Sequence, residues 1–361
     1  MTSDIRIVPY EPAWLPSYRA LAEREWGPGC RQADPAYLRW AHKNPIAQPK
    51  GRSAIWLGVH EQTVIGCIHT MRLPWRVGDD LLDFPSLHDW LVAPEHRRGI
   101  GTMLLTNALR GERHAFIPAA AGELEQVYQA LRCEPADSMW FRHVLRPVAG
   151  GLRFGLQQAL GDRAQAIPRP RLRRPEPGRV GELSPRRSAA EFELTIGADA
   201  SLQAALLERL HREPPTSPRP HWSAESFAWR FFDPDGPWHL VLHDNRGSGV
   251  ENFCLLGVGV RHGLAIGRLM LTAFTDFDAF DRLAAAAQRV LTRLGAHVLL
   301  AFTLDPRQRV AYARAGWRVR AGPPSFFSHF PRKQRFGAVA AGAEIADFGF
   351  ESLAERGLID R

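Results

Sequence analysis

Apolar and polar positions alternate along this chain in two successive blocks of the same order. The run Ala54 to His60 reads as a strand, meets the polar turn His60-Glu61-Gln62-Thr63, and is followed by more alternating sequence up to a central strand ending near Val92. Met103, Leu104, Leu105 and Ala108 then recur at helical spacing. In the second block Trp238 to His243 reads as a strand, Asp244 to Gly249 as a polar turn, Arg268 to Thr275 as a central strand and Phe280 to Leu294 as a helix. Period-two alternation marks a half-buried strand, and apolar residues three and four apart mark a helix packed by one face. Each block therefore predicts helices, two or three strands joined by turns, a central strand, a helix, and a last strand–helix–strand.

The blocks also echo one another in their residues. The Trp40 segment Ala33 to Pro45 recurs as the Trp229 segment Ser223 to Pro237, the strand ending at His60 recurs as the one ending at His243, and the helix of Tyr128 recurs as that of Tyr312. These pairs are offset by 189, 183 and 184 residues, which fits a tandem duplication. The expected organisation is an N-terminal domain over 1–147, a linker over 148–181, a second, degenerate domain over 182–335 and a tail over 336–361.

With 361 residues, 45% hydrophobic and 23% charged, the chain has the composition of a soluble globular protein of two domains. The N-terminus lacks the apolar stretch of a secretion signal, and no apolar run reaches the roughly 18 residues of a membrane span, so a cytoplasmic location is expected. Cys30, Cys67, Cys133 and Cys254 stand singly, without the spacing of a disulfide framework or a metal site. The net charge of +8 suits an anionic ligand. Its densest cluster, Pro168 to Arg179, is interleaved with proline and carries no aromatic to stack on a base, so it reads as a solvated linker and nucleic acid is not expected as a partner.

Candidate chemistry concentrates where the first central strand meets its helix. Arg97, Arg98, Gly99 and Gly101 stand at that junction. Backbone N–H groups left over at a helix start, and the positive end of its dipole, hold a phosphate or pyrophosphate, and glycine lets the chain approach closely. Neither a P-loop nor the G-x-G-x-x-G of a dinucleotide fold is present. The segment Val92-Ala93-Pro94-Glu95-His96-Arg97-Arg98-Gly99-Ile100-Gly101 resembles the coenzyme A pyrophosphate loop of the GNAT superfamily, V-x-P-x-x-[RQ]-x-x-G-x-G, with one residue fewer before the first glycine. Either the turn is tighter, or His96 takes the Arg/Gln position.

That resemblance implies an α/β (α+β) fold of two GNAT-like domains, each a mixed, mostly antiparallel, splayed sheet flanked by helices. It implies acetyl-CoA as co-substrate, held by Leu91, Val92, Arg97, Arg98, Gly99, Ile100, Gly101 and Thr102. In the second block Asp276 and Asp278 stand where the cradle would be, and negative charge repels phosphate, so the cofactor is assigned to the first.

Acetyl transfer from a thioester needs a neutral nucleophile, a polarised carbonyl and a proton for the thiolate. The helix of Tyr128 resembles the one whose tyrosine lies beside the sulfur in the family, which makes Tyr128 the candidate acid. A phenol with a pKa of about 10 can protonate a thiolate whose conjugate acid has one of about 8.5. His88 is the candidate base, with Asp89, Glu61 and His69 as others. Simple alternation along the strand puts Ser86, His88, Trp90 and Val92 on one face and Asp89 on the other. Cys133 has no His–Asp pair in sequence to activate it, so a covalent acyl-cysteine is not expected.

The reading is an acyltransferase, an acyl-CoA-dependent N-acetyltransferase acting on a small amine or amino sugar, with Trp26, Trp40, Trp75 and Trp90 as candidate flat walls for the acceptor. Two alternatives remain: an aminoacyl-tRNA-dependent transferase of the paired-GNAT type, which would not need the Arg97–Gly101 loop, and a non-catalytic CoA-binding module.

Overall fold

The computed structural model describes residues 5–27, 30–46, 52–77, 80–112, 114–118, 122–131, 133–136, 138–160, 192–212, 219–244, 249–261, 264–320 and 325–329. Residues 161–181 of the expected linker, 182–191 of the expected second domain and the whole tail 336–361 lie outside them. The first sheet is built from β1 (Ile5–Pro9), β2 (Ile55–His60), β3 (Thr63–Val77), β4 (Asp80–Val92), β5 (His114–Ile117) and β6 (Glu134–Ala136). Its helices are α1 (Leu15–Trp26), α2 (Pro35–His42), α3 (Arg97–Ala108) and α4 (Gly122–Ala130). After β7 (Met139–Val144) and α5 (Pro147–Leu160) come β8 (Phe192–Ile196), α6 (Ala200–Arg212), β9 (Arg219–Pro220), α7 (Ala224–Phe232), β10 (His239–Asp244), β11 (Phe253–Arg261) and β12 (Leu264–Ala273). The described chain ends through α8 (Phe277–Arg293), β13 (Val298–Thr303), α9 (Pro306–Arg314), β14 (Arg318–Arg320) and β15 (Ser325–His329).

These strands form two mixed sheets flanked by helices, as the fold class expected. The first runs β1-β2-β3-β4-β5-β15-β6, with β9 paired to β3, and the second runs β14-β7-β13-β12-β11-β10-β8. Read from β1 in one and β8 in the other, the order is the same: four antiparallel strands, a parallel neighbour, then two short closing strands. The closing strands are exchanged. β15 sits between β5 and β6 of the first sheet, and β7 sits between β13 and β14 of the second. Neither sheet is complete without a strand from the other side of the linker.

Local sequence explains the elements around the site. Asp34 caps α2, its carboxylate accepting from the Ala36 N–H at 2.8 Å, and Pro35 opens the helix with its φ already set. Ser223 and Ser226 cap α7 reciprocally. In α8 the buried residues Ala279, Phe280, Leu283, Ala284, Ala287, Val290 and Leu291 form one helical stripe against the second sheet. All ten residues of β12 are buried, because this central strand is covered on both faces.

Both sheets splay where the parallel pair begins. In the first, β4 and β5 share the single partnered position Ser86↔Phe116 while β4 runs on to Val92. In the second, β12 and β13 part after Arg268↔Leu300. Among the described residues no helix is long and apolar enough to cross a membrane.

Candidate functional site

The free stretch of β4 leads through a single 3-10 turn, Pro94–His96, into α3. No side chain caps this helix start, and no acidic residue stands in its first turn. Gly99 adopts φ +87°, a conformation that only glycine takes without strain, and a Cβ there would meet nothing within 4 Å. Gly101 matters for packing instead, since a Cβ would come 3.1 Å from Cζ2 of Trp90 and its absence lets α3 press onto β4. Arg97 is exposed beside the turn, Arg98 belongs to the helix with its side chain outside the described residues, and the Ile100 side chain is buried against the sheet beside Gly58. Thr102 is exposed and, with Gly99, Met103, Thr106 and Arg110, lines an open groove of about 690 Å³.

The corresponding helix of the second sheet begins differently. Asp276 caps α8, its carboxylate accepting from the Ala279 N–H at 2.7 Å, and that bond holds the carboxyl below its ordinary range. Asp278 in the same first turn pairs with Arg314. The anion-binding end of this helix is thus occupied by the protein's own carboxylate.

A bulge in β4 changes the faces that simple alternation gives. Between the pairs Cys67↔Leu91 and His69↔His88, β3 has only Ile68 where β4 has both Asp89 and Trp90. Asp89 takes φ +47° to fit the extra residue. Trp90 and Val92 consequently pack with Ile65, Ile68 and Leu87 under α3, while Leu91 faces the core that holds Trp40. His88 and Asp89 share that second face, so the expectation that His88 sides with Trp90 and Asp89 points away is corrected. An inserted residue reverses the parity of every position beyond it.

The bulge gathers a buried polar cluster. His88 Nδ1 lies 3.2 Å from Asp89 Oδ2, His69 Nδ1 lies 3.8 Å from the same oxygen, and Gln32 Nε2 donates to Asp89 Oδ1 at 3.1 Å. Tyr18 OH is 3.0 Å from His69 Nε2. Gln32, His69, His88 and Asp89 are all buried. Two imidazoles and a carboxylate are also a donor set for a divalent ion, and these atoms lie within 4.8 Å of one another. Sequence reading named His88, Asp89 and His69 separately; that they meet depends on the register of β3 against β4, and Gln32 and Tyr18 had no signal at all.

His69 and His88 line a cavity of about 10 Å³, the space of about one water, with Tyr37, Met71, Trp40 and Trp229. Tyr37 also borders a polar groove of about 270 Å³ that includes Arg31, Asp34, Asp235 and Arg268. Of the four tryptophans expected as walls, Trp40 lines the small cavity. Trp75 is buried in the core 5.8 Å from Phe116, Trp90 packs under α3, and Trp26 packs against the core.

Tyr128 lies on the other face of the sheet from His88. It is buried with its ring 6.1 Å from Trp90, and burial, helped by neighbouring Cys133, pushes its hydroxyl well above the ordinary tyrosine range. Cys133 is buried in the same cluster. Tyr312, its counterpart, is packed between Phe141, Phe280 and Trp317 in the second core. Glu61 is exposed in the β2–β3 turn, with φ +54°, outside the His69–Asp89–His88 cluster.

No protein-family model and no curated protein matches this sequence. Solved structures do. Saccharomyces cerevisiae N-myristoyltransferase with bound myristoyl-CoA superposes with a TM-score of 0.60 at 12% identity, over 91% of this chain and 80% of that one. A GCN5-related N-acetyltransferase from Kribbella flavida gives 0.53 at 14% identity, and one from Anabaena variabilis 0.55 at 9%, each over 90% of this chain and 72% of the other. At such identities the likeness is one of architecture, and the architecture this chain adopts is the GNAT fold.

Proposed function

We propose that this protein is an acyl-CoA-dependent acyltransferase whose first sheet binds the cofactor, with acetyl-CoA as donor and a small amine or amino sugar as acceptor. The observation that carries the reading is the contrast between two corresponding helix starts: α3 is uncapped behind a left-handed Gly99, whereas α8 is closed by Asp276. Backbone N–H groups from Arg97 to Thr102 at α3 would take the pyrophosphate, with Arg97 and Arg98 adding charge. The myristoyl-CoA bound by the yeast structure supports a thioester ligand on this architecture.

The two candidate proton-transfer groups lie on opposite faces of the sheet, and the gap where β4 leaves β5 beyond Ser86 would serve as the passage between those faces. A thioester seated in that gap would present its sulfur to Tyr128 and its carbonyl to backbone N–H groups of Trp90 to Val92. The acceptor amine would approach from the face of His88, lose its proton there and form the C–N bond as the C–S bond breaks. Burial keeps Tyr128 protonated, the state a donor to the thiolate requires. The groove with Arg31, Asp34, Asp235 and Arg268 suits a polar acceptor rather than an apolar one.

The test is free-thiol release from acetyl-CoA with a panel of amines and amino sugars, using Gly99→Glu as the blank. Release that depends on an amine and vanishes in the blank is expected. Unchanged release in the blank would place the donor elsewhere, and cofactor binding without release for any acceptor would leave a binding module.

A further inference from the structure

We infer that Asp89 is a positioning residue that holds His88 as the base of the acceptor site, and that the left-handed bulge in β4 exists to bring the two side chains onto one face. The inference rests on the acyl-transfer reading above and adds to it the origin of the base.

The geometry is that of an oriented imidazole. His88 Nδ1 is 3.2 Å from Asp89 Oδ2, which fixes the proton on Nδ1 and leaves Nε2 as the lone-pair nitrogen of a ring that borders the cavity with Trp40, Trp229 and Tyr37. Asp89 is itself fixed from behind by Gln32, whose amide donates to its other oxygen at 3.1 Å. Adjacent residues of a regular strand point to opposite faces, so a His and the next Asp meet this way only because the strand is bulged. The bulge has a cost. Asp89 and Glu61 are the only non-glycine residues with positive φ among those described, and Glu61 is in an exposed turn, where such a backbone is common. A left-handed, buried, β-strand aspartate is strained, and strain of this kind persists where the surroundings require the conformation.

Charge balance gives the chemical sense. When an amine attacks the thioester carbonyl, its proton passes to His88 Nε2, the C–S bond breaks, and the departing sulfur takes a proton from the acid on the far face. His88 becomes an imidazolium in a buried setting, and Asp89 supplies the compensating charge. The other groups facing the pair are His69 and Cys67 from β3, Tyr18 from α1 and Tyr37 from α2. Burial raises the Tyr18 hydroxyl well above its ordinary range, so Tyr18 stays neutral, and Asp89 is the carboxylate of this group. The cavity admits about one water, so the amine reaches His88 directly only if Trp40 and Trp229 part, and otherwise through that single water.

Two variants and one binding measurement test this. Asp89→Gly suits φ +47° and keeps the bulge while removing the carboxylate; Asp89→Asn keeps the shape and removes the charge. Asp89→Gly should stay folded, relief of the left-handed backbone offsetting part of the loss of the Gln32 and His88 bonds. Both variants should show an unchanged Kd for acetyl-CoA and a fall in kcat of about 10²-fold or more. Nitrogen NMR of the protein without substrates should show the His88 ring proton on Nδ1 in the wild type and lose that preference in Asp89→Gly. An unchanged His88 tautomer in Asp89→Gly, or an Asp89→Gly enzyme with the wild-type kcat, overturns the assignment. A wild type that binds acetyl-CoA but transfers to no acceptor fails the acyl-transfer reading instead, and the NMR tautomer still decides the pairing. Retention of one equivalent of zinc by the wild type, lost in His69→Ala, also overturns it, because the three side chains would then be ligands and His88 no base.

Discussion

Trp40 and Trp229 each donate the indole N–H to the other's backbone carbonyl, at 3.0 Å and 2.8 Å, with their rings stacked 5.0 Å apart and 13° from parallel. The two residues lie on corresponding helices, α2 before β2 and α7 before β10, so the contact is reciprocal, each side giving and receiving the same bond. Removing either ring by Trp→Ala should cost about 3–5 kcal/mol of stability. Trp40→Phe keeps an aromatic but leaves the Trp229 carbonyl unsatisfied, a loss of about 1–3 kcal/mol. In urea denaturation the double Phe variant should cost less than the sum of the single ones, since the two bonds close one ring of contacts.

The two glycines of the α3 turn should respond differently to alanine. Gly99→Ala meets no neighbour yet forces a side chain to φ +87°, so a loss of about 1–2 kcal/mol is expected, together with weaker coenzyme A binding by calorimetry. Gly101→Ala pushes on the Trp90 ring at 3.1 Å, and its signature is a change in tryptophan fluorescence before any change in fold. Equal effects of both on cofactor binding, with no fluorescence change, would contradict the division of labour.

Tyr128→Phe should lower kcat about 10²- to 10⁴-fold while leaving the Kd for acetyl-CoA unchanged. Because burial raises this hydroxyl, the folded state prefers the neutral phenol. The resulting stability is complete below the ordinary tyrosine value near 10 and is lost as pH rises above it. Rate profiles of the wild type should therefore show no tyrosine limb near neutrality.

A pH effect on the acid side is expected where β9 docks. His211 and His221 stack 4.4 Å apart, and both are held below the ordinary imidazole value, first by burial. Arg76 and Arg219 add to this for both rings, and His211 adds to it for His221. The folded state prefers both neutral, so their contribution is complete above about 6.5 and is lost as pH falls below it. The hydrogen-exchange protection of the His221 amide, bonded to the Pro74 carbonyl at 2.7 Å, should fall between pH 7 and 5, and His221→Phe should abolish that dependence.

Much of this was legible in the chain because it is local. The hairpin turn at Glu61, the amphipathic face of α3 and the glycines at 99 and 101 are short-range signals with short-range causes. The aspartates at 276 and 278 announced a closed helix start, and the cap at Asp276 is its physical form. The β4 bulge was not legible, since Asp89 has no side-chain signature of a left-handed backbone. It is fixed by the partner strand, where Ile68 alone faces two residues. The exchange of β7 and β15 was equally silent. Each has an ordinary strand sequence, and nothing in Met139–Val144 says that its neighbours lie beyond residue 297.

The exchange of β7 and β15 has a temporal consequence. A chain emerging from the ribosome would present β5 and β6 long before β15, the strand that must lie between them, has been translated. Meanwhile β7 would have to wait for β13 and β14. Neither half could reach its native state during its own synthesis. Assembly becomes a single late event, and a chain severed in the linker should yield two fragments that are each unstable alone and regain their fold only when mixed.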